Sequence, residues 1–157
     1  MKSSGKVAPL DDRLAGARAA AEAEARIRVS DFEREAGTRY TVDTLDALLA
    51  RHSGARLVWI MGADNLAEFH RWKDWSGVFE RVPVAVFDRP TYSFRALEGR
   101  AARRFARQRV GRSEASTLAL MSPPAWTFLW TAFDPASATA IRNGGTETAT
   151  GATSHRR

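Results

Sequence analysis

The sequence predicts an α/β fold in which helices cover a parallel β-sheet. Three short apolar runs carry this prediction: residues 57–61 (LVWIM), 82–87 (VPVAVF) and 126–130 (WTFLW). Continuous apolar runs of this length are typical of strands buried on both faces of a sheet. Helical patterns lie between the runs, and strands that alternate with helices indicate a parallel sheet of the Rossmann-like class.

The segments around these runs complete the predicted order of elements. Residues 10–25 are rich in alanine, leucine and charge and predict a helix, whereas residues 26–30 (RIRVS) alternate in polarity and predict a short strand. Residues 41–52 place four apolar side chains on one helical face, with Thr41 as the predicted N-cap. Residues 94–112 place apolar side chains at helical spacing among arginines, which predicts one amphipathic surface helix.

The remaining residues are predicted to form a loop, a last helix and a tail. Residues 113–124 read as a loop, and a helix restarts at Ser137. The Gly- and Thr-rich residues 143–157 predict a disordered tail, so that residues 1–142 form one partial domain.

Composition excludes several classes of protein. The 157 residues fit one domain, and 44% of them are hydrophobic, which is enough for a packed core. The chain contains no cysteine, which excludes disulfides, thiolate metal sites and cysteine nucleophiles, and suits a cytoplasmic protein. No apolar stretch approaches the length of a membrane-spanning helix, so we expect no membrane association.

The charge is +6, mostly from arginine, and it has two interpretations. It fits a polyanionic partner, either nucleotide phosphates or nucleic acid, and it equally fits helix faces that are simply solvated. No aromatic side chains for base stacking are interleaved with the arginines of residues 94–112, which favours a surface helix over a nucleic-acid groove.

Candidate binding residues follow the predicted strands, because ligands of such folds bind beyond the carboxyl ends of the strands. Gly62 would let a ligand approach the backbone, and Asp64 would accept hydrogen bonds from ribose hydroxyls. Arg89 would bind a phosphate or carboxylate. The alternatives are a plain turn at Gly62, an N-cap at Asp64 and a surface arginine at Arg89.

An aromatic segment and a late helix start add further candidates. One of three aromatic side chains, Phe69, Trp72 and Trp75, would stack on a flat heterocycle, or all three would pack in the core. Phe69 and Trp75 are expected in the core, and Trp72, flanked by charged residues, is expected near the surface. The last candidates would form an anion site at a helix start, or only a plain N-cap: Ser137, Thr139 and Arg142. The three histidines show no metal-ligand spacing and no nucleophile has an obvious base, so the chemistry is expected to use positioning and charge.

Four segments resemble bacterial nicotinate-nucleotide adenylyltransferases in sequence and order. They are residues 37–45 (GTRYTVDTL), 59–66 (WIMGADNL), 69–72 (FHRW) and 84–90 (VAVFDRP). Residues 137–142 (SATAIR) also resemble the family's second nucleotide motif, SSTxIR, with Ala138 in place of the second serine. The resemblance extends over about residues 2–142.

The resemblance implies transfer of AMP from ATP to nicotinate mononucleotide in NAD biosynthesis, with Mg²⁺, giving nicotinate adenine dinucleotide and pyrophosphate. Thr41 and Trp72 would bind the nicotinate end, together with the backbone beside Trp72. Gly62 and Asp64 would hold a ribose, and Arg89 would lie near the mononucleotide phosphate. Ser137, Thr139 and Arg142 would face the ATP phosphates.

The sequence departs from the family's pattern at one point. The family's histidine loop, GGxFxPxHxGH, has no counterpart in these 157 residues. We therefore expect an N-terminally truncated member that lacks the first two strands and the histidine phosphate loop. In that case residues 26–30 would have no neighbour, residues 57–61 would form an exposed apolar edge, and the chain alone would have negligible activity.

Three alternatives stay open at this point. The first alternative is another adenylyltransferase, such as one that acts on pantetheine phosphate, although Trp72 and the segment around Thr41 favour nicotinate. The second alternative is a non-catalytic domain that binds nucleotide or RNA through its arginines. Salt-sensitive binding of RNA would support this alternative. The third alternative is a fragment that does not fold stably.

Overall fold

The computed structural model describes residues 9–89 and 91–130, which form one four-stranded parallel sheet with helices around it. The strand order across the sheet is β1-β2-β4-β3. The strands are β1 (Trp59–Gly62), β2 (Val84–Phe87), β3 (Arg109–Val110) and β4 (Trp126–Leu129). The α/β class and the parallel sheet are therefore confirmed, and β2 and β4 fall within the predicted runs.

The three longer strands are in step, which determines where a site can form. Trp59 pairs with Val84, which pairs in turn with Trp126, and at the other end Gly62 pairs with Phe87. The carboxyl ends of β1, β2 and β4 consequently meet along one edge of the sheet, where a ligand would be expected to bind.

Seven α-helices and three 3₁₀ segments occur in the described ranges. The helices are α1 (Leu10–Ala21), α2 (Phe32–Glu35), α3 (Thr41–Arg51), α4 (Ala63–Glu68), α5 (Trp75–Arg81), α6 (Ser93–Leu97) and α7 (Arg100–Arg104). The 3₁₀ segments are Phe69–Arg71, Ala106–Gln108 and Arg112–Leu120. No helix in these ranges is both long and apolar enough to cross a membrane.

Stacked aromatic rings form the centre of the core. The Phe79 ring stacks on Phe105 with centroids 4.5 Å apart and meets Trp126 edge-on at 6.3 Å. The indole N–H of Trp126 donates to the Phe105 carbonyl at 2.7 Å, so this buried polar atom is satisfied. These contacts fasten α5 and the end of α7 to β4 on one face of the sheet. A smaller cluster of Ala85, Leu118 and Ala125 covers the other face.

The predicted strand at residues 26–30 is wrong. These residues are irregular, they pair with no other described segment, and the Ile27 side chain is 57% exposed. Alternating polarity favours a strand only where a neighbouring strand supplies the hydrogen bonds of a ladder. No such neighbour lies beside this segment within the described residues.

The single helix predicted over residues 94–112 is also wrong. Gly99 takes an extended conformation (φ −66°, ψ 162°) and separates α6 from α7, and the chain then turns into β3. The Ala96 carbonyl lies 3.0 Å from the position that a Cβ on Gly99 would take, so a larger residue would crowd this junction. Phe94, predicted on the apolar face, is 80% exposed because the face ends with α6.

Three smaller predictions need correction. The helix α3 begins at Thr41 itself, and Tyr40 is its N-cap, without a side-chain hydrogen bond. The first apolar run is not buried on both faces: β1 lies at one edge of the described sheet, and its Ile60 side chain is 64% exposed. This outcome confirms the alternative expectation of an exposed apolar edge. The predicted loop at residues 113–124 is largely a 3₁₀ segment, and the helix predicted from Ser137 lies outside the described residues.

Candidate active site

A cleft with a volume of about 580 Å³ opens beyond the carboxyl end of β1. The helix α4 begins directly after β1, so its first turn points polar side chains into this space. The cleft is lined by Asp64, Asn65, Glu68, Arg71, Trp72, Tyr92 and Arg95. Its lining is mostly polar and carries both signs of charge, which suits a charged ligand with hydroxyl groups.

Gly62, Asp64 and Arg89 come together at the ends of β1 and β2. The Arg89 Nε lies 3.3 Å from the Asp64 Oδ1. A Cβ on Gly62 would lie 2.4 Å from that oxygen and 2.7 Å from that nitrogen. The backbone of Gly62 (φ −83°, ψ 159°) is open to any residue. A larger residue here would therefore force the two charged side chains to move, because they fill the volume that a Cβ would occupy.

The ion pair between Arg89 and Asp64 is not a hydrogen bond. The Asp64 Oδ1 is buried, and it has no hydrogen-bond partner among the described residues because Arg89 approaches it at an unfavourable angle. A ligand hydroxyl that displaced the exposed Arg89 side chain would supply the missing donor.

Trp72 lies between two cavities. Its ring packs on the fully buried Phe69, with centroids 4.8 Å apart, and it lines both the 580 Å³ cleft and a second cavity of about 260 Å³. The core placement of Phe69 is thus confirmed, and Trp75 is partly buried against the core. The Trp72 backbone N–H donates to the Phe69 carbonyl at 2.9 Å, so it is already used within the 3₁₀ turn.

Thr41 lines the second cavity together with Trp72. Further lining comes from Arg39, Tyr40 and Lys73, and the Lys73 Nζ lies 4.5 Å from the Tyr40 ring centroid. Since no side chain caps α3, the first backbone N–H groups of this 11-residue helix remain available beside Thr41. The structure therefore brings together two residues that lie 31 positions apart in the chain.

Hydrogen bonds from Ser93 and to β4 fix the turn that follows β2. The buried Ser93 hydroxyl donates to the carboxylate of Asp88 and lies 3.3 Å from the Arg89 carbonyl oxygen. The Asp88 backbone N–H donates to Leu129 in β4 at 2.9 Å. Arg89 consequently leaves the sheet from a fixed backbone position, even though its own side chain is exposed.

Some candidates are not described, and some lining residues were not predicted. Ser137, Thr139 and Arg142 lie outside the described residues. Glu68, Arg71 and Arg95 line the cleft but were not singled out from the sequence. The three-residue spacing of Glu68 and Arg71 is the only sequence signal for them, whereas Arg95 reaches the cleft only because α6 packs on α4.

Comparison with known proteins identifies the family of this chain. A family model described as cytidylyltransferase-like matches residues 1–144. The probable nicotinate-nucleotide adenylyltransferase of Bradyrhizobium sp. (strain ORS 278) is 50% identical over 143 residues, which are 91% of this chain and 74% of that protein. The chain belongs to the nicotinate-nucleotide adenylyltransferase family. Another such protein, from Methylorubrum extorquens (strain PA1), is 47% identical over 90% of this chain and 76% of its own length.

A solved structure supports the fold of this family member. The Plasmodium falciparum nicotinic acid mononucleotide adenylyltransferase, complexed with APC, superposes with a TM-score of 0.52 at 11% identity. The match covers 86% of this chain and 58% of that one. At this identity the likeness concerns the fold, and it agrees with the parallel sheet and the helices described above.

Proposed function

We propose that this chain transfers AMP from ATP to nicotinate mononucleotide, forming nicotinate adenine dinucleotide and pyrophosphate in NAD biosynthesis. A phosphate oxygen of the mononucleotide would attack the α-phosphorus of ATP, and the bond to the β-phosphate would break. The observation that carries the proposal is the 50% identity to a probable nicotinate-nucleotide adenylyltransferase over 91% of the chain. Such a reaction needs alignment and charge neutralisation and no nucleophile from the protein.

The nicotinate end is proposed to bind in the second cavity. Its ring would stack on the side chain of Trp72, which is half-buried and packs against Phe69. Its carboxylate would lie near the Thr41 hydroxyl and the uncapped N–H groups of α3, where the helix dipole favours a negative charge. The Trp72 N–H is already hydrogen-bonded within its turn. The carboxylate would therefore be bound mainly by the Thr41 hydroxyl and the first N–H groups of α3.

The ribose and the mononucleotide phosphate are proposed to bind at the strand ends. The Asp64 Oδ1, which accepts no hydrogen bond from the described residues, would accept one from a ribose hydroxyl once Arg89 has moved away from it. Arg89, released from Asp64, would turn its guanidinium toward the phosphate. One ligand would thus satisfy both members of the ion pair.

The ATP phosphates are proposed to face Ser137, Thr139 and Arg142, with Mg²⁺ carried by the nucleotide. Within residues 9–89 and 91–130, no three His, Cys, Asp or Glu side chains converge on a point that suits a metal ion. The described residues therefore offer no cage of protein ligands for the ion. The proposed place in NAD synthesis would put the protein in the cytoplasm.

Binding of nicotinate mononucleotide to the purified chain tests the proposed site. Trp72→Ala should weaken binding about tenfold in isothermal titration calorimetry, because stacking contributes roughly 0.5–1.5 kcal/mol beyond the burial of apolar area. Trp72→Phe should lose only part of this affinity. Phe94→Ala, at an exposed aromatic that lines neither cavity, is the matched control and should bind like the wild type.

Formation of nicotinate adenine dinucleotide from nicotinate mononucleotide and ATP tests the reaction itself. The Bradyrhizobium relative serves as the positive control. Binding of phosphopantetheine in preference to nicotinate mononucleotide, or of RNA in its place, would contradict the proposal. Equal affinities of the wild type and Trp72→Ala for nicotinate mononucleotide would contradict the stacking proposed for Trp72.

A further inference from the structure

The carboxylate of Glu68 lies between two arginines in the 580 Å³ cleft. Its Oε1 is 2.7 Å from the Arg95 Nη2, and its Oε2 is 2.8 Å from the Arg71 Nη1. All three side chains line the cleft. Two guanidinium groups therefore point at one place in the cleft, and that place is occupied by a carboxylate of the protein itself.

The packing of α6 against α4 creates this arrangement. Ala96 in α6 and Ala67 in α4 are both buried, and the position of a Cβ on Gly99 lies 3.8 Å from the Ala67 Cα. Small residues allow the two helices to approach closely, which brings Arg95 beside the last residue of α4. Arg71 is the last residue of the 3₁₀ segment that follows α4, and it lies three positions after Glu68 in the chain.

The two ion pairs are weak enough to exchange. The side chains of Arg71 and Arg95 are 74% and 68% exposed, and that of Glu68 is 36% exposed. Exposed pairs of this kind contribute only about 0–1 kcal/mol each. One carboxylate also leaves a net positive charge on the group, whereas a phosphate offers more negative charge and more acceptor oxygens to the planar guanidinium groups.

We propose that Arg71 and Arg95 form a phosphate-binding subsite of the cleft and that Glu68 occupies it in the empty protein. A phosphoryl group of the ligand displaces Glu68, which then turns toward solvent. The inference rests on the proposed function in one respect: it takes the cleft to be the place where phosphorylated substrates or products bind. Pyrophosphate and the phosphate of nicotinate mononucleotide both carry the oxygens that this subsite would recognise. Arg71 and Arg95 would therefore act in addition to the residues proposed above for these phosphates.

Calorimetric titration of pyrophosphate into the purified chain, in a phosphate-free buffer at fixed ionic strength, tests the subsite. Glu68→Gln should bind pyrophosphate about fivefold more tightly, because the competing pairs are worth up to about 1 kcal/mol each. Arg71→Gln and Arg95→Gln should each weaken binding about tenfold, since each removes charge-assisted hydrogen bonds of about 1.5–3 kcal/mol.

Two control variants correct for the change in net charge. Arg103→Gln removes an exposed arginine of α7 that does not line the cleft, and Glu80→Gln removes an exposed carboxylate of α5. Both should bind pyrophosphate like the wild type. Thermal unfolding of every variant shows that the fold is retained.

The possible outcomes separate this inference from the proposed function. Pyrophosphate binding that is absent, or no more sensitive to Arg71 and Arg95 than to Arg103, overturns the subsite. Weaker binding in Glu68→Gln also overturns it, because that result would make Glu68 a residue that positions the arginines. Nicotinate mononucleotide in the same titrations distinguishes the phosphate source. If it fails to bind while pyrophosphate binds through both arginines, the subsite stands and the proposed function fails.

Discussion

Thr91 adopts a backbone conformation that β-branched residues rarely take. Its φ is 70°, in the turn after β2, where the Tyr92 N–H donates to the Arg89 carbonyl at 3.1 Å. A left-handed conformation costs roughly 1–2 kcal/mol for a residue with a Cβ. Glycine removes this cost but gains entropy in the unfolded chain, so the net benefit is smaller.

We therefore expect Thr91→Gly to raise the free energy of unfolding by about 1 kcal/mol. Urea denaturation followed by circular dichroism measures the change. Thr117→Gly is the matched control, because Thr117 is exposed but has no positive φ, and it should lower stability. A Thr91 variant that is destabilised as much as the control would show that the turn tolerates threonine without strain.

At the scale of single residues, the sequence predicted positions better than contacts. Gly62, Asp64 and Arg89 were found from their places after apolar runs, and the structure brings them together. The pairing of Glu68 with Arg95 was not predictable, because it depends on how closely α4 and α6 pack. The reason for Gly62 was also different from the expected one, since protein side chains fill the space beside it.

One arginine connects α5 to α3, the helix whose first residue, Thr41, lines the second cavity. Arg81 in α5 donates to both carboxylate oxygens of Asp46 in α3, at 2.6 and 3.1 Å, and to the Gly77 carbonyl at 2.9 Å. The hydrogen bonds with Asp46 raise the pKa of Arg81 further above its usual value. This connection holds the start of α3, with Thr41, against the segment that carries Trp72.

Arg81→Lys should lower the free energy of unfolding by about 1 kcal/mol, because an ammonium group cannot reproduce the two parallel hydrogen bonds. A double-mutant cycle with Asp46→Asn should give a coupling energy of about 0.5 kcal/mol or more. Arg51→Lys alters a more exposed pair with a single contact to Glu35 and should change stability by less than about 0.5 kcal/mol. Equal effects at both arginines would contradict a special role for Arg81.

Among the elements, the buried strands and the amphipathic helix α3 were predictable, whereas two other periodic segments were not. The runs at β2 and β4 are apolar because both neighbours and both faces of the sheet surround them. Residues 26–30 and 94–112 carry periodic patterns whose meaning depends on what lies beside them. The pattern alone does not reveal that Gly99 ends α6 or that two residues pair as β3.

For the molecule as a whole, the order of the strands leaves β1 at one edge of the described sheet. An edge strand presents unpaired N–H and C=O groups, and an apolar side chain beside them makes it a template for pairing with another chain. Ile60, with 64% of its side chain exposed, is such a residue. The resemblance to a known family had already indicated this edge, although the pattern of residues 57–61 alone indicated a strand buried on both faces.

Ile60→Lys should therefore suppress aggregation without loss of stability. Lysine on an edge strand blocks further pairing by charge and desolvation, and an exposed position changes the free energy of unfolding by less than about 0.5 kcal/mol. Ile27→Lys is the matched control, because Ile27 is similarly exposed, at 57%, but lies in an irregular segment away from the sheet. Static light scattering against protein concentration should fall much more for Ile60→Lys. If both variants reduce scattering equally, general surface hydrophobicity and net charge govern association, and the sheet edge does not.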